Sequence, residues 1–306
     1  MKKISLLFLA CLLVFSLAAC GGSPAASSGT TAAPQDTSAP ETGAPDTTAQ
    51  TDAPEIPVFE EVVIVDDESC TFRITGIEED SLWGYTLKAY LENKTDLDLM
   101  FSLSDVSVNG FMCDPLWAAT VSAGMKSNEE ISFPAQSFTL NGITSVTDIT
   151  FTLDIYDSSD WTADHLVSDT FTIYPQGEAA VQTHQRTPVE GELVLFDDGN
   201  CAMIVTGFDP DNIWGYTMNV YLENKTDKTL MFSVDDAPVN GFMCDPFWAE
   251  TVAPGKRSNT AISWLEEEFE TNGIANVESL TLPITVYDAN DLEANHLIDE
   301  TFTVNP

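Results

Sequence analysis

The feature that most limits what this chain can fold into is a repeat that needs no gap. Shifting residues 70–175 by 131 lays them on residues 201–306, and 53 of the 106 paired positions are identical. Trp83-Gly84-Tyr85-Thr86 falls on Trp214-Gly215-Tyr216-Thr217, and Leu91-Glu92-Asn93-Lys94-Thr95-Asp96 falls on the same six residues from Leu222 to Asp227. The block Val108-Asn109-Gly110-Phe111-Met112-Cys113-Asp114-Pro115 returns unchanged from Val239 to Pro246. Units of this size can each close a core, so the pattern is a duplicated domain rather than a solenoid.

Within each unit the apolar residues recur with period two. Tyr85, Leu87, Ala89 and Leu91 alternate with Thr86, Lys88, Tyr90 and Glu92; Tyr216, Met218, Val220 and Leu222 repeat the stripe. Ile149, Phe151, Leu153 and Ile155 form another, matched by Leu280, Leu282, Ile284 and Val286. Such alternation marks half-buried strands. Asn-Gly pairs at 109–110, 141–142, 240–241 and 272–273 punctuate it as hairpin turn signals. No segment reads convincingly as helix; the best candidate is Trp264 to Phe269, and its counterpart contains Pro134. About seven to nine strands in roughly 115 residues predict two packed antiparallel sheets. The expected fold is all-β: two tandem immunoglobulin-like antiparallel β-sandwich domains, with a small barrel as the alternative.

The N-terminus is of another kind. Met1-Lys2-Lys3 is followed by an uncharged apolar run to Ala19, ending Leu17-Ala18-Ala19-Cys20. That ending resembles the lipobox of bacterial lipoproteins. The resemblance implies a signal peptide over 1–19, removal before Cys20, and a diacylglycerol thioether on Cys20. The alternatives are an ordinary secretory peptide with an incidental Cys, or an uncleaved helix, for which the run is short. Of the 36 residues from Gly21 to Ile56, 28 are Gly, Ser, Thr, Pro or Ala and none is aromatic. Such a segment buries too little apolar surface to offset its ordering entropy, so residues 20–56 read as the lipidated Cys and a disordered tether. The domain reading is then 57–175 for the first sandwich, 176–188 for a hinge and 189–306 for the second.

Acidic residues number 49 against 11 basic, a formal charge of −38. Nucleic acid and anionic headgroups are recognised through Lys and Arg, and each sandwich holds only four. No nucleic-acid partner is expected, and contact with the membrane is expected only through the lipid on Cys20.

Cys70 shares a strand face with Phe72 and Ile74, and Cys201 with Met203 and Val205. A two-residue turn at Asn109-Gly110 pairs Val106 with Cys113, which again puts the thiol on an apolar face. In an exported protein, two inward cysteines per sandwich predict a disulfide in each, Cys70 with Cys113 and Cys201 with Cys244. The alternative is buried free thiols acting as small apolar groups.

The conserved block between the repeats ends in Trp117 and Trp248. One reading makes them aromatic platforms for sugar rings, with Asp114 and Asp245 beside them; the other makes each Trp a plug over a Pro-anchored turn. Trp83 and Trp214 carry the same ambiguity. Asp157, Asp160 and Asp164, with Asp288, Asp291 and Asn295, lie in loops after strands, but no EF-hand run is present and solvated loop acids are the preferred reading. His165 and His296 sit beside those loops and His184 lies in the connector; no zinc spacing, nucleophile elbow or phosphate loop accompanies them. No metal, cofactor or catalytic residue is expected. Asn93-Lys94-Thr95 and Asn224-Lys225-Thr226 match a glycosylation sequon, but the preferred reading is the start of a turn.

The Trp-Gly-Tyr-Thr, Leu-Glu-Asn-Lys-Thr-Asp, Val-Asn-Gly-Phe-Met-Cys-Asp-Pro and Tyr-Asp elements resemble a repeated unit in uncharacterised lipoproteins of gut Firmicutes, and more loosely their telokin-like, immunoglobulin-like secreted domains. The resemblance implies no activity. The expectation is a protein lipid-anchored at the extracellular face of the cell membrane, with two sandwiches that bind or adhere without catalysis. The partner would be a surface polymer, glycan or protein. The alternatives are a structural or assembly module, and an extracellular hydrolase with an unrecognised carboxylate site.

Overall fold

A computed structural model describes residues 59–246 and 248–306. The expected signal peptide (1–19), the expected lipidation at Cys20 and the expected tether (20–56) all lie outside the described residues. Those described belong to one compact unit, residues 55–306.

The first repeat is built from β1 (Val62–Asp66), β2 (Cys70–Ser81), β3 (Gly84–Asn93), β4 (Leu99–Val108), β5 (Phe111–Met112), β6 (Ala118–Val121), β7 (Lys126–Phe133), helix α1 (Ala135–Leu140), β8 (Ile149–Asp157) and β9 (Val167–Ile173). The second contains β10 (Leu193–Asp197), β11 (Cys201–Asp209), β12 (Tyr216–Asn224), β13 (Leu230–Val234), β14 (Trp248–Val252), β15 (Arg257–Trp264), helix α2 (Glu266–Asn272), β16 (Leu280–Asp288) and β17 (Ile298–Val304). In the first repeat β1-β2-β3-β7 form one sheet, and β6, β4, β8 and β9 form the other layer. The second repeat copies this as β10-β11-β12-β15 and β14-β13-β16-β17. Both repeats are therefore antiparallel β-sandwiches, immunoglobulin-like in architecture, and among the described residues no sheet closes into a barrel.

The period-two stripes are the cores. Leu87, Ala89 and Leu91 face Ile149, Phe151, Leu153 and Ile155 in one cluster; Met218, Val220 and Leu222 face Leu280, Leu282, Ile284 and Val286 in a second, separate one. A residue-by-residue alternation fills one face of a pleated sheet, which is why the sequence pattern translates directly into burial.

The four Asn-Gly pairs divide into two structural roles. Asn109-Gly110 and Asn240-Gly241 are hairpin turns with positive φ at both residues (51° and 81°, 51° and 83°), the primed geometry that suits strand twist. The other two pairs instead end helices: Gly273, at φ 67°, is the left-handed residue after α2, and Gly142, at φ 63°, follows α1. The expectation of no convincing helix is thus corrected in both repeats. Pro134 does not forbid α1 because it stands just before it, where its missing N–H has no helical partner to lose.

The disulfide expectation is also corrected. Cys70, Cys113, Cys201 and Cys244 are free and buried. Cys70 pairs with Asn93, whose amide reaches Val121 at the Leu99 end of β4. The Cys113 N–H instead donates to the Val106 carbonyl near the other end of that strand. Those ends are seven residues apart, about 23 Å at a rise of ~3.3 Å per residue, while a disulfide needs Cα atoms within about 7 Å. Both cysteines face the core, as the alternation said, but from opposite ends. Burial pushes the Cys70 and Cys201 thiols up to about 12 and that of Cys113 to about 11. We expect fragment 55–306 to take up four equivalents of alkylating agent when denatured without reductant, and almost none when native. Any mass change on reduction would contradict this.

The two sandwiches are joined through a sheet. Strand β5 lies parallel to the start of β15, with Phe111 opposite Arg257 and the Arg257 N–H donating to the Gly110 carbonyl at 3.0 Å. This makes the second layer of one repeat and the first layer of the other a single nine-stranded sheet. Phe111 is buried with Ile204 and Tyr221 in a small third cluster. The connector is fastened too: His184 meets Phe111 edge-on at 4.8 Å, and Arg186 stacks on Tyr221 at 4.7 Å while gripping Glu192 with both terminal nitrogens.

Candidate functional site

A groove occurs twice, built by equivalent residues at the same end of each sandwich. In the first repeat its lip is the tip of the β2–β3 hairpin. Ser81 Oγ donates to the Gly84 carbonyl at 2.6 Å and accepts from the Trp83 N–H at 3.1 Å, closing a tight turn. Gly84 adopts φ +101°, and a Cβ there would stand 2.3 Å from the Phe133 carbonyl oxygen. Only glycine lets the hairpin close onto the end of β7. That closure leaves Leu82 and Trp83 outside, 90 % and 71 % exposed.

The floor is aromatic. Phe138 of α1 lies 5.8 Å from Tyr85 and 6.0 Å from Phe133. The far wall is the segment from Ile143 to Val146, pinned by the Gln176 amide, which donates to Ser145 Oγ at 2.7 Å and to the Val146 carbonyl at 3.1 Å. Glu79 and Asp80 supply acid at the lip. Burial, reinforced by the Glu79 charge, pushes the Tyr85 phenol well above its ordinary value, so it stays protonated. The groove holds about 580 Å³, within the range of small-ligand sites.

The second groove repeats this construction in about 620 Å³. Gly215 takes φ +98° against the Trp264 carbonyl. Tyr216 and Phe269, 6.0 Å apart, form the floor, and Ile274 and Val277 the wall. Asp211, Glu266 and Glu270 make it acidic. Trp214 is 66 % exposed beside it, in the position of Trp83.

Of the residues singled out from sequence, Trp83 and Trp214 stand at the grooves, while Trp117, Trp248, Asp114 and Asp245 lie elsewhere. Trp117 is half-buried, packed on the first core with its ring 6.1 Å from Phe72. Trp248 opens β14 and packs on the second core. Neither lines a groove; both sit in the plug arrangement. The Asp114 carboxylate accepts the Leu116 N–H at 2.7 Å within its turn, and Asp245 holds the equivalent sequence position in the second repeat. The groove floor was missed because Tyr85 and Phe138 are 53 residues apart in sequence. The signal that could have found it was the pair of Trp-Gly-Tyr blocks, each with an exposed apolar residue before a glycine.

The remaining candidates are local. Asp157 and Asp160 accept N–H groups of Ser159 and Thr162, and Asp288 and Asp291 those of Asn290 and Glu293, as turn-forming side chains. Among the described residues no group of three or more His, Cys, Asp or Glu side chains is placed to hold a metal ion. His165 and His296 stack on Tyr156 and Tyr287 at 4.7 and 5.2 Å. Asn93, the sequon residue, is buried and spends its amide on the turn after β3. Among the described residues no helix is long and apolar enough to cross a membrane.

A third cavity, about 430 Å³, lies between the repeats and collects Asp105, Asp114 and Glu250. Asp105 accepts from Thr229 Oγ1 at 3.1 Å, and Glu250 from Ser258 Oγ at 2.7 Å. Burial first, then the Asp114 charge, raises the Glu250 carboxyl; burial, then Asp154 and Asp114, raises Asp105. A carboxyl that is harder to ionise when folded makes the native state bind the extra proton. Its contribution to stability falls as pH rises from the ordinary carboxyl value towards the raised one, then levels off. We expect Glu250→Gln, which keeps the acceptor for Ser258, to raise stability above that window and leave it unchanged below pH 4. Denaturant melts at pH 4 and pH 7.5 read the difference; an equal effect at both would disprove it.

No family model matches this chain, and no curated protein matches it. Among solved structures it is similar to the YadV chaperone at 12 % identity, over 72 % of this chain and 92 % of that one, with a TM-score of 0.20.

Proposed function

We propose that this is a non-catalytic binding protein, held by a lipid on Cys20 at the outer face of a bacterial membrane, and that its two equivalent grooves are its binding sites. The observation that carries the reading is the duplication of the groove itself. The same glycine-closed hairpin, aromatic floor and apolar wall occur in both repeats while half of the aligned residues differ. Two like sites at a fixed separation suit a ligand that is itself repetitive, since the second contact then forms at high effective concentration. A formal charge of −38 and the acids around both grooves disfavour polyanions. An exposed indole beside carboxylates suits neutral sugar rings, which offer C–H faces to the ring and hydroxyls to the acids.

The test is an array of host, dietary and wall glycans probed with fragment 55–306. Trp83→Ala combined with Trp214→Ala is expected to weaken any positive signal at least tenfold with the fold intact, because both side chains are exposed. Trp117→Ala with Trp248→Ala should instead lower stability. Binding that survives the first pair and disappears with the second in a folded protein would return the site to the platforms read from sequence.

A hydrolase reading has one observation in its favour, the three carboxylates between the repeats. It expects turnover of a bound polymer that Glu250→Gln abolishes; binding without turnover removes it.

A further inference from the structure

The junction between the two repeats is head-to-tail. The first repeat contributes a knob, the Asn109-Gly110 hairpin tip with Phe111 and Met112. The second contributes a socket at the start of β15. Phe111 is only 5 % exposed there, and the sulfur of Met112 accepts the Ala253 N–H at 3.5 Å. Lys256 donates to Thr150 at 3.1 Å, and Asn259 to the Asn141 side chain at 3.1 Å.

A head-to-tail contact between like units consumes only one knob and one socket. The second repeat therefore keeps a knob of its own. Its eight residues from Val239 to Pro246 are identical to those of the first, and the turn has nearly the same φ angles (51° and 83° against 51° and 81°), so it is already in docking shape. Yet Phe242 and Met243 are 47 % and 62 % exposed. This is an unusual placement for two large apolar side chains unless something covers them.

The first repeat likewise keeps a socket at the start of β7. Part of what receives Phe111 recurs there, although Arg73 takes the place of Ile204, which packs on Phe111. Tyr90 stands for Tyr221, and Arg73 lies over its ring at 5.8 Å as Arg186 lies over Tyr221. Lys126 pairs with Glu92 at 3.3 Å as Arg257 pairs with Glu223 at 3.2 Å. Asn128 occupies the place of Asn259, and the exposed Met125 that of Lys256. The partner residues Asn272 and Thr281 are the equivalents of Asn141 and Thr150 and are identical to them.

We propose that the Phe242–Met243 tip of one molecule docks on the Tyr90–Lys126 socket of a second copy of this chain, so that the internal junction is continued between molecules. Contacts of this type do not saturate at a dimer; they build an open chain unless the rotation happens to close a ring. The contact is weak by construction. Asp98 replaces Thr229 opposite the equivalent of Asp105, which is Asp236, and sets two carboxylates face to face. The net charge adds repulsion that salt screens. Display on a surface would concentrate the molecules enough for a weak contact to matter. The proposal does not depend on what the grooves bind.

Sedimentation velocity on fragment 55–306, whose cores are made wholly from its own residues, provides the test. The average sedimentation coefficient is expected to rise between ~10 μM and ~1 mM protein at about 0.15 M salt, without levelling at the dimer value. Phe242→Asp, which removes the knob, should leave a monomer throughout, and so should Met125→Glu, which alters the socket. Both side chains are exposed, so both variants should fold. Mixed one to one, the two variants should recover a dimer and nothing larger, because one still has its socket and the other its knob. A wild-type fragment that stays monomeric to ~1 mM would overturn the proposal. So would association that Phe242→Asp leaves intact, or a mixture that yields no dimer.

Discussion

Asn93→Ala is expected to destabilise the first repeat by about 3 kcal/mol, and Asn224→Ala the second by a similar amount. Each side chain uses its full hydrogen-bonding capacity inside the protein. The Asn93 amide donates to the carbonyls of Leu97 at 2.7 Å and Val121 at 2.8 Å, and its oxygen accepts from the Thr95 N–H at 2.9 Å and hydroxyl at 2.8 Å. Asn224 repeats this with Lys228, Val252 and Thr226. These bonds tie the turn after β3 to the end of β6, and so tie one layer of the sandwich to the other. Alanine takes the amide donor from the buried Val121 carbonyl and the acceptor from the part-buried Thr95 N–H and hydroxyl, and each buried group left unpaired costs about 1–3 kcal/mol. Thermal melts should show a loss of about 10 °C for the affected repeat. A loss below about 1 kcal/mol would mean that water replaces the amide, and that the staple is not structural.

Gly84→Ala is the second large effect, expected at about 4 kcal/mol, with Gly215→Ala its counterpart. Two costs combine. The left-handed backbone at φ +101° disfavours any side chain, and the new methyl would lie 2.3 Å from the Phe133 carbonyl oxygen, a backbone atom that cannot swing away. The hairpin must lift off the end of β7, opening the groove. Both stability and ligand binding should therefore fall together. Gly124→Ala is the control: its φ is +67°, but nothing lies within 4 Å, so only the backbone cost of about 1 kcal/mol applies. If Gly84→Ala costs no more than Gly124→Ala, the close approach is relieved elsewhere and the account of the Trp-Gly-Tyr motif is wrong.

Much of the fold was legible because a sheet with one buried face imposes its period on the chain. Ile149, Phe151, Leu153 and Ile155 were assigned inward from alternation alone, and all are fully buried. The same logic put Cys70 and Cys113 on the core face correctly. It failed on the disulfide because facing inward says nothing about position along a strand. The helices were missed since six or seven residues carry too little periodic signal, and since an Asn-Gly pair ends a helix as readily as it turns a hairpin. Pro134 misled by its presence in the segment, when what counts is that it stands before the first helical turn.

The candidate site was less legible. Trp117 and Trp248 attracted attention by identity between the repeats, and identity there reflects packing against Phe72 and the second core. The groove depends on Tyr85, Phe138 and Ile143 converging at one end of a sandwich, and no local pattern announces such a convergence.

The chain by itself determined the duplication, the strand character, the inward residues and the acidity, because each is set by neighbours in sequence or by composition. Only the tertiary structure decided which ends of the strands meet, that the thiols stay apart, that a groove forms twice, and that one hairpin tip is buried while its identical twin is left bare. Those outcomes turn on distances between residues far apart along the backbone, which periodicity does not encode.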